Sequence, residues 1–230
     1  GLYGAFGYDL VFQFENIKAK HKRDSKQADC HLFMPVELVV VDRQKEEAHK
    51  IEYHIDTPDG MTESWWNTGE KFSILKAKGD GKIKCDHDEG EFEKKVLKIK
   101  DGCRKGDFYE VVLSQSFSTV FSEKPSTLFE RICAQNPSPY SFLINLGTEQ
   151  LVGASPEMYV RVKSKRFETS PISGTVPIGS DPMETAEKIK ELISSEKEES
   201  ELTMCTDVDR NDMARVCEPG SVRLIGRRLL

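Results

Sequence analysis

Two groups of residues in the last third of the chain have types and spacing that could bind a charged small molecule. The run SGT at 173–175 places a glycine, whose backbone can approach a ligand closely, beside N–H groups and a hydroxyl that can donate to a carboxylate or phosphate. Glu198 and Glu201 are three residues apart and share one face if they lie on a helix. Mg²⁺ takes one or two carboxylates together with waters and substrate oxygens, and would relieve the repulsion between them. The pairing predicts a metal-assisted site for a carboxylated small molecule.

The two glutamates need a helix to bring them together. Apolar residues between positions 182 and 204 recur mostly at three- and four-residue intervals, which predicts a helix that is broken near Ser194 and Ser195. Helices rich in Glu and Lys are also typical of solvated surfaces. From spacing alone, the solvated surface is the favoured interpretation.

A third carboxylate stands further upstream. The pattern predicts two paired strands, 140–146 and 151–162, that turn at Gly147. Glu157 lies on or beside the second strand, where we expect apolar neighbours to desolvate it and favour the protonated form that a general acid requires. By sequence alone, a carboxylate beside a turn is also an ordinary surface feature.

The rest of the chain alternates strand and helix patterns. We predict a turn and strand in 1–14, a buried strand at 32–42 paired with 50–55, a helix at 92–103, a strand at 108–117 and a short helix at 128–134. A run rich in Gly, Lys, Asp and Glu at 76–91 is predicted to be a mobile linker between segments 1–75 and 92–230. Within it, His87 stands between two aspartates and could bind a metal ion. No other metal ligand is expected to converge on it, so a metal site is not predicted there. Trp65 and Trp66 are predicted to pack in a turn.

Composition excludes several classes of protein. The 230 residues are 37% hydrophobic and 31% charged, with a formal net charge of −6, so the chain lacks the basic surface of a nucleic-acid-binding protein. No apolar run approaches the roughly 18 residues of a membrane span. The six cysteines have neither metal-site nor disulfide-framework spacing, which indicates reduced thiols and a cytoplasmic location. The chain begins at Gly1 rather than Met, so we expect a fragment or trimmed product.

Ordered motifs across more than half of the chain resemble those of the chorismate-utilising enzymes, and among these most closely component I of anthranilate synthase. The motifs are NPSPY at 136–140, GASPE at 153–157, PISGT at 171–175, SELTM at 200–204, TDVDRND at 206–212 and CEPGSV at 217–222.

The resemblance implies an α+β fold, a sandwich of two antiparallel β-sheets flanked by helices, that is incomplete in this chain. Residues 1–75 would belong to the middle of the subunit and 92–230 to the N-terminal portion of the chorismate-binding catalytic domain. The implied reaction converts chorismate and ammonia to anthranilate and pyruvate in tryptophan biosynthesis and requires Mg²⁺. The ammonia would come from a glutamine amidotransferase subunit or fused domain.

The resemblance also implies roles for individual residues. Gly174 and Thr175 would bind chorismate, Glu201 would bind Mg²⁺ directly, and Glu198 would bind it directly or through water. Glu157 would protonate the departing hydroxyl of chorismate.

Pro139 and Tyr140 match the region that binds tryptophan as a feedback inhibitor in such enzymes, although Tyr140 fits a core aromatic equally well.

Two further positions separate branches of the family. Relatives that add water to chorismate have a lysine where Glu110 stands, which argues against that branch. Aminodeoxychorismate synthases commonly carry a lysine at the position of Ser173, so the resemblance disfavours amination at the 4-position.

Two alternatives stay open at this point. One is a 2-amino-2-deoxyisochorismate synthase, which aminates chorismate but does not eliminate pyruvate. The other is a non-catalytic module that binds chorismate or tryptophan. The chain also ends before the family's later motifs, so we expect the 230 residues alone to be inactive. A photosynthetic eukaryotic source would make a plastid location possible.

Overall fold

The computed structural model describes residues 1–20, 22, 28–61, 81–147, 149–227 and 229. Trp65, Trp66 and the first part of the predicted linker lie outside this range. Contacts divide the chain into two units, Gly1–Leu128 with Leu146–Glu149 and Phe129–Asn145 with Gln150–Leu230.

The first unit contains antiparallel two-stranded ladders and one long helix. The pairs are β1 (Tyr3–Phe6) with β2 (Cys30–Phe33), β3 (Glu37–Asp42) with β4 (Glu47–Glu52), β5 (Asp56–Thr57) with β6 (Gly60–Met61), and β7 (Lys84–Cys85) with β8 (Phe117–Ser118). Helix α1 covers Glu91–Lys105. The β3–β4 turn is closed by Asp42, whose Oδ1 accepts from the N–H groups of Gln44 and Lys45 at 3.0 and 3.1 Å.

Two strand predictions in this unit differ from the structure. The segment 32–42 contains the end of β2 and all of β3, with an interruption around Pro35, which has no N–H to donate to a ladder. It is not buried either, because Val39 and Val41 are 56% and 62% exposed. The predicted strand at 108–117 is wrong: it is irregular up to the two-residue β8, since among the described residues only that end has a partner strand.

The helix prediction at 92–103 is confirmed. Gly106 ends α1 in the left-handed conformation with φ 79°, which a glycine adopts without steric cost. Ion pairs one turn apart support the helix, from Lys95 to Glu91 at 2.9 Å and from Lys105 to Asp101 at 2.6 Å. Part of the segment predicted as a linker forms β7, which precedes this helix and is separated from it by a short turn.

The second unit carries two hairpins and the long C-terminal helices. Its elements are β9 (Tyr140–Asn145) paired with β10 (Gln150–Ser155), β11 (Arg161–Lys163) paired with β12 (Arg166–Glu168), α3 (Pro182–Ser194) and α4 (Glu196–Val216). Helix α2 covers Pro125–Gln135, as predicted, and includes the position where the two units divide. The predicted 151–162 strand is shorter than expected, because Pro156 cannot extend the ladder beyond Ser155.

The predicted break between the last two helices is confirmed, and one residue makes it. Ser195 ends α3 and begins α4, with an extended backbone and a side chain that accepts from the N–H of Glu198. Asp181 caps α3 in the same way by accepting from the N–H of Glu184, and Pro182 follows at the position that suits proline. Both helices therefore begin at defined residues.

The described residues bury little apolar surface. Leu146, at 6% exposure, is the one buried hydrophobic side chain among them. Ladders, helix caps and ion pairs are therefore prominent among the interactions that hold these elements. All six cysteines are free, as predicted. Within the described part of the chain, no helix is long and apolar enough to cross a membrane.

Candidate active site

An open pocket of about 340 Å³ lies in the second unit, between the segment that precedes α3 and the first turns of α4. It contains both residue groups that the sequence singled out. The lining residues are Ile172, Ser173, Gly174, Thr175, Lys197, Glu198 and Glu201.

Glu198 reaches the pocket from the first turn of α4. Its side chain is 22% exposed, and Oε2 is buried without a hydrogen-bond partner. A Cβ on Gly174 would overlap this oxygen, so the absence of a side chain at position 174 is what makes room for the carboxylate. Ser173 Oγ donates to the backbone oxygen of Glu198 at 3.5 Å, a further link between the loop and the helix.

Glu201 lies one turn further along α4, and both carboxylates line the same pocket as predicted. Lys197 lies beside them, with Nζ 2.8 Å from Glu198 Oε1 and 3.6 Å from Glu201 Oε2. The hydrogen bond to Glu198, followed by the negative charges of both glutamates, raises the pKa of Lys197. This lysine was not predicted from the sequence, although its position four residues before Glu201 is an ordinary ion-pair spacing.

The donor set fits a hard divalent cation. It combines two carboxylates on one helical face with a loop hydroxyl, all of them oxygen donors that Mg²⁺ prefers. The buried Oε2 of Glu198 strengthens this fit, because a buried carboxylate oxygen without a partner is costly and a bound cation would satisfy it.

Glu157 lies next to this pocket. Its Oε1 accepts a hydrogen bond from the backbone N–H of Ile172, a pocket-lining residue, at 3.1 Å. Ser155 Oγ holds the local turn by donating to the Glu157 carbonyl at 3.0 Å and accepting from its N–H at 3.2 Å. The expectation of apolar surroundings is wrong among the described residues: Glu157 is exposed, because β10 ends two residues earlier at Ser155 and no regular element covers the side chain there.

The structure does not bring the predicted inhibitor residues to this pocket. Tyr140 is the first residue of β9 and is 43% exposed, and neither it nor Pro139 is among the lining residues. Tyr140 is therefore not a core aromatic within the described residues. Glu110 is exposed in the irregular segment before β8.

Comparison with known proteins decides the family. The family model of the chorismate binding enzymes matches residues 1–227. The chain belongs to this family. The sequence resemblance is thereby confirmed.

Individual relatives agree with the family assignment. The chain is 47% identical to an anthranilate synthase from Azospirillum brasilense, with 100% of this chain and 31% of the relative covered. It is 30% identical to aminodeoxychorismate synthase component 1 from Salmonella typhimurium, covering 97% of this chain and 49% of that one. The crystal structure of anthranilate synthase component I from Streptococcus pneumoniae matches with a TM-score of 0.71 and 26% identity, over 94% of this chain and 50% of that chain.

The structural match confirms the predicted α+β fold class, that of the chorismate-utilising enzymes. The described elements agree with it, since the ladders are antiparallel and are accompanied by four α-helices. The chain spans about half the length of the solved structure and of the Salmonella relative, and about a third of the Azospirillum one.

Proposed function

We propose that this chain acts in the Mg²⁺-dependent conversion of chorismate and ammonia to anthranilate and pyruvate. The observation that carries the proposal is the pocket in which the two carboxylates of α4 face the SGT loop, with one buried oxygen of Glu198 lacking a partner. A relative named anthranilate synthase at 47% identity supports this choice of reaction. We further propose that a glutamine amidotransferase subunit or domain supplies the ammonia, and that the enzyme is cytoplasmic.

Different pocket residues would bind the substrate and the metal ion. Gly174 and Thr175 would offer backbone N–H groups and a hydroxyl to a substrate carboxylate. Glu198 and Glu201 would hold Mg²⁺, which when bound supplies positive charge that neutralises and orients the anionic substrate. The chain's own task at this end of the pocket is to keep the two carboxylates and the loop at a fixed separation.

Glu157 would be the general acid. Ammonia adds at ring carbon 2, Glu157 gives a proton to the 4-hydroxyl, and that group leaves as water. Loss of a proton and of the enolpyruvyl group as pyruvate then gives the aromatic product. The hydrogen bond from Ile172 N–H to the Glu157 carboxylate supports this assignment, because it ties the acid to the wall of the pocket.

Two finer proposals follow from the sequence. Ser173 lines the pocket at the position where the 4-aminating relatives commonly carry a lysine, so amination at the 2-position is the reaction we favour. Pro139 and Tyr140 are proposed to bind tryptophan as a feedback inhibitor.

The test is anthranilate fluorescence from the full-length protein supplied with chorismate, Mg²⁺ and ammonium. We expect product from the wild type and none above background from Glu201→Gln, because the substitution removes one carboxylate charge from the metal site. Glu184→Gln is the matched control, since Glu184 is also a helical glutamate one turn from a lysine, at 2.7 Å from Lys188, but does not line the pocket. It should retain activity.

Other results would redirect the proposal. Chorismate binding without any product would favour the non-catalytic module. An aminated product that retains the enolpyruvyl group, detected by its mass, would favour the 2-amino-2-deoxyisochorismate synthase. Full activity in Glu201→Gln would contradict the metal site.

A further inference from the structure

The position of Lys197 is unfavourable for the helix that carries it. It is the one basic residue in the first turn of α4, beside Glu196, Glu198 and Glu199. A cation there faces the positive end of the helix dipole, and a lysine that precedes its glutamate by four residues has the weaker of the two pair orientations. Helix stability alone therefore does not account for a lysine at this position.

The ammonium group instead lies against the proposed metal ligands. Nζ is 2.8 Å from Glu198 Oε1 and 3.6 Å from Glu201 Oε2, so one cation neutralises both carboxylates. It leaves the buried Oε2 of Glu198 without a hydrogen-bond partner. Lysine thus supplies the charge that the pair needs, but not the full set of contacts that a metal ion would make.

We propose that Lys197 is an internal counter-ion, which bridges Glu198 and Glu201 when no metal is bound and moves into solvent when Mg²⁺ binds. The inference rests on the metal site of the proposed function. Its side chain is 78% exposed, so the four-carbon stem can swing away from the pocket without disturbing packed neighbours.

The exchange has a consequence for metal affinity. An ammonium and a divalent cation beside the same two carboxylates repel each other, and each metal-binding event must break the lysine ion pairs. Lys197 therefore neutralises the two carboxylates in the absence of metal, and lowers the intrinsic affinity for the ion. A lysine that merely braces the site would have the opposite effect, since its removal would weaken metal binding.

The test titrates Mn²⁺ into the full-length protein and follows the free ion by electron paramagnetic resonance. We expect Lys197→Gln to bind Mn²⁺ about tenfold more tightly than the wild type, because a like charge has been removed from the site. Lys197→Arg keeps the charge and should stay close to the wild type. Lys188→Gln removes the same charge from an ion pair on α3, with Nζ 2.7 Å from Glu184, and should leave Mn²⁺ affinity unchanged.

Equal or weaker Mn²⁺ binding by Lys197→Gln would overturn the inference, as would the same gain in Lys188→Gln. Glu201→Gln separates this failure from failure of the proposed site. If Glu201→Gln abolishes Mn²⁺ binding while Lys197→Gln behaves like the wild type, the metal site stands and only the counter-ion role is lost. If Glu201→Gln binds Mn²⁺ as the wild type does, both are wrong.

Discussion

The first turns of α4 and the turn after β7 both gather potential metal ligands, and they differ in what else contacts those ligands. In the β7 turn, ligand atoms of Cys85, Asp86 and His87 lie within 4.8 Å of one another. His87 Nδ1 is 2.6 Å from Asp86 Oδ1, while Lys95 Nζ is 2.9 Å from His87 Nε2. Gln115 Nε2 donates to Cys85 Sγ at 2.8 Å.

The cluster after β7 is thus a hydrogen-bonded network, whereas the α4 pocket keeps one buried carboxylate oxygen of Glu198 without a partner. The hydrogen bond with His87, followed by the Ser116 N–H, lowers the pKa of Asp86. Closeness of ligand atoms therefore does not by itself make a metal site. A buried carboxylate oxygen without a hydrogen-bond partner distinguishes the pocket, and four comparisons between variants follow from that distinction.

The largest effect is expected from Gly174→Ala, which would bring a methyl group into the space of the Glu198 carboxylate. We expect Mn²⁺ affinity to fall by about 10- to 100-fold, the range seen when groups that position metal ligands are altered. The free energy of unfolding should fall by about 1–3 kcal/mol, as for other overpacked sites. Mn²⁺ titration and urea unfolding measure the two quantities.

Gly106→Ala is the control for that substitution. Gly106 ends α1 with φ 79° and has open space around it, so an alanine there is strained by its backbone conformation and not by overlap. It should lose stability while Mn²⁺ affinity is unchanged. Equal Mn²⁺ affinity in the wild type and Gly174→Ala would contradict the tight fit of Glu198 against the loop.

The second prediction concerns the cluster after β7. His87 is 8% exposed, but its partners Asp86 and Lys95 are 47% and 45% exposed, so His87→Gln should lower the free energy of unfolding by about 0.5–1.5 kcal/mol for each hydrogen bond lost, and leave Mn²⁺ binding unaltered. The measurements are urea unfolding and Mn²⁺ titration. His87→Phe keeps the edge-on ring contact with Phe92 and separates packing from hydrogen bonding. Altered Mn²⁺ affinity in either variant would break the contrast between the two regions.

The third prediction compares two helix caps. Ser195→Ala and Asp181→Ala each remove a side chain that accepts from a backbone N–H, and each should cost about 1 kcal/mol in urea unfolding. Because the Ser195 cap fixes the N–H of Glu198, its loss should also weaken Mn²⁺ binding, by less than about tenfold. The Asp181 cap serves α3 and should not affect Mn²⁺. Equal Mn²⁺ affinities in both variants would show that the cap does not position the pocket.

The smallest effect is expected at Glu184 and concerns stability at acidic pH. This carboxylate accepts hydrogen bonds from Lys188 and Ser180. Hydrogen bonds from Lys188 and then Ser180 lower its pKa from 4.5 to about 2. A folded pKa below the unfolded one stabilises the protein above the unfolded pKa, and this stabilisation is lost as the pH falls from about 4.5 to about 2. Glu184→Gln should therefore lose less stability over that range than the wild type, as measured by urea midpoints.

Lys188→Gln is the companion variant, because it removes the first of those causes while keeping the carboxylate. Lys188→Gln should also lose less stability than the wild type as the pH falls, but the difference should be smaller than for Glu184→Gln. Identical pH profiles in the wild type and Glu184→Gln would contradict the ion pair as a source of acid stability.

Local pattern predicted much of the helical structure. Apolar spacing gave α1 and the break between α3 and α4, and the break needed no tertiary information because Ser195 caps the second helix with its own side chain. The prediction at 108–117 shows where local pattern fails. A strand needs a partner strand, and a run of residues such as Val111 and Val112 does not say whether one is available.

The sequence by itself determined the residue types of the site, the shared face of Glu198 and Glu201, and the family. Only the tertiary structure decided that Gly174 packs against the Glu198 carboxylate, that Glu157 accepts from Ile172, and that the ligands near His87 are occupied. The physical reason is the distance along the chain over which each interaction acts. Helix periodicity and capping act within a few residues, whereas an unpartnered buried oxygen results from contacts between segments that lie far apart in the chain.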